Sequence, residues 1–189
     1  MKKALLVVLA LVLVAALSVG LTMAYLTSQD TVTNTFTVGE VKITLDEAPV
    51  DVYGEVVAGD RVKANDYKLI PGHTYVKDPK VTVTEGSEEC WVFVAVDNGI
   101  AGAEAADNTI AAQMTANNWL PLNGVDKVYY YKTTVDAANE AVELPVFGSF
   151  KVDNKDVASF DGATITVTAY AVQADTFETP AEAWANAGF

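Results

Sequence analysis

Apolar and polar residues alternate with a period of two along most of the chain after residue 30, and such alternation is typical of half-buried β-strands. The strongest runs predict strands over residues 41–45, 81–83, 91–96, 128–135 and 163–172, and weaker runs predict strands over 50–57, 141–147 and 149–152. Residues 91–96 are apolar at every position, so we expect a central strand that is covered on both faces.

Turn-forming residues separate these runs, as at Pro71-Gly72, Asn123-Gly124 and Asp161-Gly162. Many short strands with such punctuation predict an all-β fold, a jelly-roll-like antiparallel β-sandwich over residues 41–175. We place in its core the apolar residues on one face of the main strands: Ile43, Leu45, Val81, Val83, Val92, Val94, Ile165 and Val167.

Two helical segments interrupt the strand pattern. The alanine-rich residues 107–118 predict one short inserted helix. Thr179-Pro180-Ala181-Glu182 is a capping box with proline at the first helical position, and Gly188 follows, so the tail over 176–189 should contain a short C-terminal helix. Its aromatic residues Trp184 and Phe189 should pack back on the sandwich or contact a neighbouring molecule.

The first 24 residues have the three parts of a secretory signal peptide. Lys2 and Lys3 form a positive start, residues 4–21 are apolar or small, and Thr22-Met23-Ala24 supplies small residues for cleavage between Ala24 and Tyr25. We therefore expect a secreted, extracellular or cell-surface protein. The apolar run is nearly long enough to span a bilayer, so an uncleaved membrane anchor is the alternative.

A strand pattern lies close to the expected new N-terminus. In residues 31–38 the threonines share one face, and Val32, Asn34, Phe36 and Val38 share the other. We interpret residues 25–40 as an N-terminal extension that is donated to the sheet of a neighbouring subunit, with Gly39 as a flexible joint. In the alternative, residues 31–38 form the first strand of their own sheet.

Composition limits the kinds of partner that we expect the protein to bind and the interactions that can stabilise its fold. The formal net charge is −13, and it becomes −15 once Lys2 and Lys3 leave with the leader, so we expect no nucleic-acid partner. Removal of residues 1–24 leaves 165 residues, which suits one domain with a full core. Cys90 is the single cysteine, so an internal disulfide is excluded. We expect its side chain to be buried in the role of a small hydrophobic residue.

Residues suited to catalysis are few, and we assign no catalytic residue, cofactor or metal. His73 is the only histidine, so a two-histidine metal site is excluded, and we expect it to be a solvated turn residue. Asp153, Asn154, Asp156 and Asp161 supply oxygen ligands of the kind that calcium prefers. Solvated loop carboxylates are the simpler interpretation of that cluster.

Several segments together resemble the TasA/camelysin family of secreted Gram-positive proteins. They are the leader ending T-M-A before Y-L-T-S, the following N-T-F-T-V-G-E-V-K-I-T-L-D-E, and L-I-P-G-H running into V-K-D. The resemblance implies export with processing by a signal peptidase of the SipW type and a jelly-roll fold. It further implies assembly into biofilm-matrix fibres, in which an N-terminal strand completes the sheet of the next subunit.

The expected function is therefore a structural subunit that polymerises with itself head to tail, with a minor fibre or anchoring protein as a further partner. A monomeric surface module for a carbohydrate or protein ligand is the alternative, with Trp119 and Tyr129, Tyr130 and Tyr131 as its aromatic platform. Some family members carry a metalloendopeptidase label, but this sequence lacks the histidines of a zinc site.

The leader interpretation predicts a defined N-terminus for the secreted protein. Because small residues precede Tyr25 and polar residues follow it, the intact mass of the secreted form should correspond to a chain beginning at Tyr25. A membrane-retained species that still carries Met1 would contradict this prediction.

Overall fold

Ten strands and two short helices are found in residues 39–189, which together with Lys3 are the residues that the computed structural model describes. The strands are β1 Ile43–Asp46, β2 Thr74–Val76, β3 Lys80–Val83, β4 Ser87–Asn98, β5 Trp119–Pro121, β6 Val128–Tyr131, β7 Val135–Ala137, β8 Val142–Pro145, β9 Ser149–Lys151 and β10 Ile165–Gln173. The helices are α1 Ile110–Ala116 and α2 Pro180–Ala187. The predicted leader lies outside the described residues.

The strands form antiparallel sheets that face each other across a common core. One sheet has the order β1-β3-β8, and a larger one has the order β10-β4-β6-β5 with β7 also paired to β4. A two-stranded sheet joins β2 to β9. The predicted all-β sandwich with one inserted helix and a C-terminal helix is confirmed.

The centre of the core between the two sheets is fully buried. Val81 and Val83 of β3 are 0% exposed, as are Val92 and Val94 of β4. Cys90 packs among them, also fully buried, which confirms its predicted role.

Four residues predicted for this core are only partly buried. They are Ile43 and Leu45 of β1 and Ile165 and Val167 of β10. Among the strands of residues 39–189, both lie at the edge of their sheet, which leaves the flank of these side chains less covered.

A second apolar cluster covers the outer face of the larger sheet. Phe93 of β4 is fully buried there, and the ring of Trp184 from α2 lies 5.2 Å from it. The start of α2 is capped by Thr179, whose side chain accepts a hydrogen bond from the Glu182 backbone at 3.3 Å. The predicted helix and the packing of Trp184 are therefore confirmed.

Several predicted segments have different limits in the structure. The run over 128–135 is divided into β6 and β7 by a bend, and residues 50–57 form a turn closed by a bridge between Val50 and Val56. Helix α1 begins late in the predicted range because Thr109 caps it, accepting from the Ala112 N–H at 3.2 Å. Strands β2 and β5, of three residues each, lie outside every predicted run.

The burial of Cys90 predicts an inert thiol. Loss of solvation, and secondarily the charge of Glu89, raises the pKa of Cys90 to about 11. Since the thiolate is the reactive form, a thiol reagent should leave the native protein unmodified near neutral pH and should modify it fully after unfolding. Native and unfolded samples that react at equal rates would contradict the assigned burial.

Candidate functional site

An open groove of about 1320 Å³ runs beside β10. Residues 163–169 line one side of it, and residues 62–69 line the other. Side chains of the main core also reach it, including Ile100 and Phe150, which are 3% and 1% exposed. The groove therefore opens from the surface onto the core of the sandwich.

The hydrogen-bond register of β10 determines which backbone groups face the groove. The Gly99 N–H donates to the Thr164 carbonyl at 2.8 Å, and the Ala174 N–H donates to the Glu89 carbonyl at 2.8 Å. Even-numbered residues of β10 thus bond to β4, and the N–H and C=O groups of odd-numbered residues point the other way. Within the described part of the chain, β10 pairs with β4 alone.

The same odd-numbered residues turn their side chains toward the core. Ile165, Val167, Ala169 and Ala171 pack against the main cluster and are each partly exposed. Within residues 39–189, the outer edge of β10 therefore combines backbone groups that bond to no other strand with incompletely covered apolar side chains, and a further strand would complete both.

The opposite side of the groove is fixed to β1. Backbone hydrogen bonds join Glu47 and Val62 in both directions, at 2.9 and 2.8 Å, and the Lys63 ammonium donates to the Leu45 carbonyl. These contacts occupy part of the outer edge of β1. The edge of β10 is consequently the longer accessible edge beside the groove.

Arg61, the only arginine of the chain, anchors the beginning of this wall. Its guanidinium donates to the carboxylate of Asp46 and, at 2.9 Å, to that of Asp78. It also donates to the backbone carbonyls of Asp46 and Asp78, at 3.0 and 2.8 Å. The forked geometry of guanidinium allows this simultaneous contact to two segments.

The chain enters the domain near the far end of β10. The Glu40 carbonyl accepts from the Glu88 N–H at 3.1 Å, and Glu89 is the residue that binds Ala174. A Cβ at Gly39 would lie 2.5 Å from the Glu88 side chain. The other predicted processing and assembly residues, Ala24, Tyr25, Val32, Asn34, Phe36 and Val38, lie outside the described residues.

The remaining predicted site residues are in different environments from one another. His73 follows the turn at Pro71-Gly72 and is partly exposed, with its Nε2 2.8 Å from the Tyr53 carbonyl. It is held because the turn packs it edge-on against the Tyr75 ring at 4.5 Å. Trp119 is fully buried and donates to the Pro145 carbonyl at 2.9 Å, so it cannot contribute to an exposed aromatic platform.

The predicted calcium loop contains mainly local contacts. Asp153 accepts from the Asn154 N–H and lies 3.3 Å from the Lys155 ammonium, and Asp156 accepts from the Ala158 N–H. Among the described residues, no three His, Cys, Asp or Glu side chains are grouped as metal ligands would be. Across the same part of the chain, none of the helices has the length and apolar character needed to cross a membrane.

Sequence reasoning missed the wall formed by residues 62–69. Four of these eight residues are polar and the alternation is interrupted at Asp66, so the sequence predicts neither a strand nor a helix for them. In the sequence, the single arginine is followed closely by Lys63, Asn65 and Asp66. This grouping is the feature that could have indicated a polar network that anchors the segment.

Comparison with known proteins identified no relative. No protein-family model matches the chain, no curated protein matches it, and no solved structure matches it. The class of protein is therefore defined by the fold and the groove alone: an all-β sandwich with an open strand edge.

Proposed function

We propose that this protein is a secreted structural subunit of the cell surface or biofilm matrix, which assembles into extracellular fibres by strand exchange. Residues 25–38 of one molecule would enter the groove beside β10 of the next. The resemblance to the TasA/camelysin family supports this proposal from the sequence. Export would use a signal peptidase of the SipW type.

The main observation behind this proposal is that β10 pairs along one edge only in the part of the chain that the structure describes. Ile165, Val167, Ala169 and Ala171 present outward backbone groups and half-covered side chains, whereas central core residues such as Val92 and Val94 are fully buried. Adding a strand at such an edge satisfies the backbone through hydrogen bonds and fills the apolar positions with alternate side chains.

Residues 31–38 suit the groove in length and in chemistry. Eight extended residues span about 26 Å, and seven residues of β10 run from Ile165 to Ala171. Val32, Phe36 and Val38 would face the core, and the threonines would face solvent. Asn34, on the apolar face, would lie among the polar residues of the groove wall.

Donation from one subunit to the next produces an open polymer. The contact is heterologous, because the groove and the donated strand are different surfaces, so repeating it builds a filament instead of a closed dimer. The net charge of −13, which becomes −15 without Lys2 and Lys3, makes subunits repel each other. Backbone pairing and apolar contacts would therefore have to drive assembly.

The alternative is that residues 31–38 fill the groove of their own molecule. Because Glu40 lies at the C-terminal end of β10, an inserted strand from the same chain would have to run parallel to β10. Such insertion is independent of protein concentration, whereas donation between molecules is not. This difference separates the two arrangements experimentally.

Deleting residues 25–38 should give a folded monomer that does not polymerise. Electron microscopy and light scattering of the secreted protein provide the measurement. Phe36→Asp should weaken assembly at least tenfold by placing a carboxylate in an apolar site. Thr35→Asp, on the opposite face, is its matched control and should assemble normally. Filaments that persist without residues 25–38, or a deletion that unfolds the domain, would refute donation.

A complementary change tests the acceptor side. Val167→Lys places a charge on the groove face of β10 and should prevent polymerisation, while circular dichroism remains that of the folded domain. Thr168→Lys lies on the exposed face of the same strand and should have little effect. Equal assembly by both variants would show that the groove beside β10 is not the acceptor.

Mixing the two defective proteins extends this test. A Val167→Lys subunit keeps its donor strand, and a subunit lacking residues 25–38 keeps its groove. They should form a heterodimer when combined, and neither should form one alone. Failure to pair in the mixture would argue against exchange between molecules.

A further inference from the structure

Glu47, Lys77 and Asn65 meet at the groove, where Glu47 and Lys77 are buried and Asn65 is half-buried. The Lys77 Nζ lies 2.6 Å from Glu47 Oε2, and the Asn65 Nδ2 donates to Glu47 Oε1 at 2.9 Å. One carboxylate thus contacts both an amine and a primary amide. Glu47 is 4% exposed and Lys77 is 9% exposed, so the amine and the carboxylate are almost completely removed from solvent.

The Asn65 amide is held on both sides. Its Oδ1 accepts from the Val50 N–H at 3.0 Å, and its Nδ2 donates to the Ala48 carbonyl at 2.9 Å as well as to Glu47. An N–H directed at the amide oxygen stabilises negative charge that develops there, as in an oxyanion hole. The amide nitrogen, the atom that would leave, faces the carboxylate.

One aromatic ring lies beside the amine and packs against further rings. The Lys77 Nζ lies 6.0 Å from the centre of the Tyr67 ring, which packs edge-on against Phe150 at 5.2 Å. Tyr75 stacks on Phe150 at 4.7 Å. Burial, and then the charge of Glu47, raises the pKa of Tyr67, which fits a site that is poorly hydrated.

We propose that Lys77 and Asn65 join in an intramolecular isopeptide bond, with Glu47 as the catalytic residue that transfers the proton. Glu47 accepts a proton from the Lys77 ammonium, and the neutral amine attacks Cγ of Asn65. Charge develops on Oδ1, where the Val50 N–H donates. Glu47 then protonates the amide nitrogen, the Cγ–Nδ2 bond breaks, and ammonia leaves.

The reaction needs no other reactant. One C–N bond forms and one breaks, the oxidation state is unchanged, and the proton lost by Lys77 is returned to the leaving nitrogen. Ammonia departs as ammonium after it takes up the second proton released by the attacking amine. The carboxylate of Glu47 is regenerated, so the step is a single autocatalytic turnover and uses no cofactor.

The bond would lie where the domain lacks another covalent constraint. Cys90 is the only cysteine, so the chain cannot form an internal disulfide. Residue 65 belongs to the groove wall, and Lys77 follows directly on β2. Linking them closes a short loop and would hold the wall in place, much as a disulfide restricts the unfolded chain.

Intact-mass measurement on the purified protein tests the proposal. Relative to the mass calculated from its own N-terminus, the wild type should be lighter by one ammonia, about 17 Da. Glu47→Gln keeps the shape of the side chain but cannot accept the proton, so it should have the full mass. Lys77→Arg preserves an ion pair with Glu47 and should also have the full mass.

Controls separate this bond from other losses. Lys80→Arg alters another Lys–Glu pair, with Glu143, and should retain the loss of ammonia. Asn123-Gly124 also loses ammonia if it closes to a succinimide, so fragmentation must show a cross-link between Lys77 and Asn65. Trypsin should fail to cleave after Lys77 in the linked protein.

The outcomes are decisive and independent of fibre formation. A folded wild type of full mass would overturn the proposal and leave Glu47 and Lys77 as a buried ion pair. An ammonia loss that persists in Lys77→Arg would also overturn it. Circular dichroism of each variant verifies folding, and the mass result holds whether or not the protein polymerises.

Discussion

Among the described residues β10 pairs along one edge only, and this open edge is the constraint on which the rest of the domain depends. Backbone N–H and C=O groups lose water when they are buried and need hydrogen-bond partners in exchange. Ile165, Val167, Ala169 and Ala171 of β10 and Ile43 and Leu45 of β1 are all only half-buried, so the described strands cover this side of the core incompletely, although β1 and β10 contact each other. The groove follows directly from that incomplete coverage, and strand addition is the physical process that would end it.

Strand β4 stabilises the domain although β10 has this open edge. It has twelve residues, and it pairs with β10 on one edge and with β6 and β7 on the other. Its two faces contribute to separate apolar clusters, with Val94 in the main core and Phe93 under α2. Burying one such side chain contributes about 1.5–3 kcal/mol, so a doubly covered strand gives β10 a rigid partner.

Charged groups determine the opposite side of the groove. Arg61 connects the end of β1 to the segment before β3 through Asp46 and Asp78, and Glu47 contacts both Lys77 and Asn65 beside it. Buried ionic groups seldom stabilise a fold more than apolar packing would, but they demand a defined geometry. Here that geometry keeps residues 62–69 beside the groove, and it also brings an amine, an amide and a carboxylate into one poorly hydrated place.

The sequence by itself determined the local elements of this protein. Alternation of period two located β1, β3, β4, β8, β9 and β10, and the capping box at Thr179 located α2, because each depends on neighbours along the chain. The central burial of Val81 and Val94 followed from the same pattern. The short strands β2 and β5 lie outside every predicted run.

The tertiary structure decided which strands are edges and which distant polar groups meet. An edge strand and a central strand show the same alternation, so Val167 and Val94 look equivalent in the sequence although only Val94 is fully buried. Glu47 lies 30 residues from Lys77 and 18 from Asn65, and no local pattern relates them. Their contact exists only because sheet pairing and the anchored wall bring these segments together, and that pairing is a property of the whole fold.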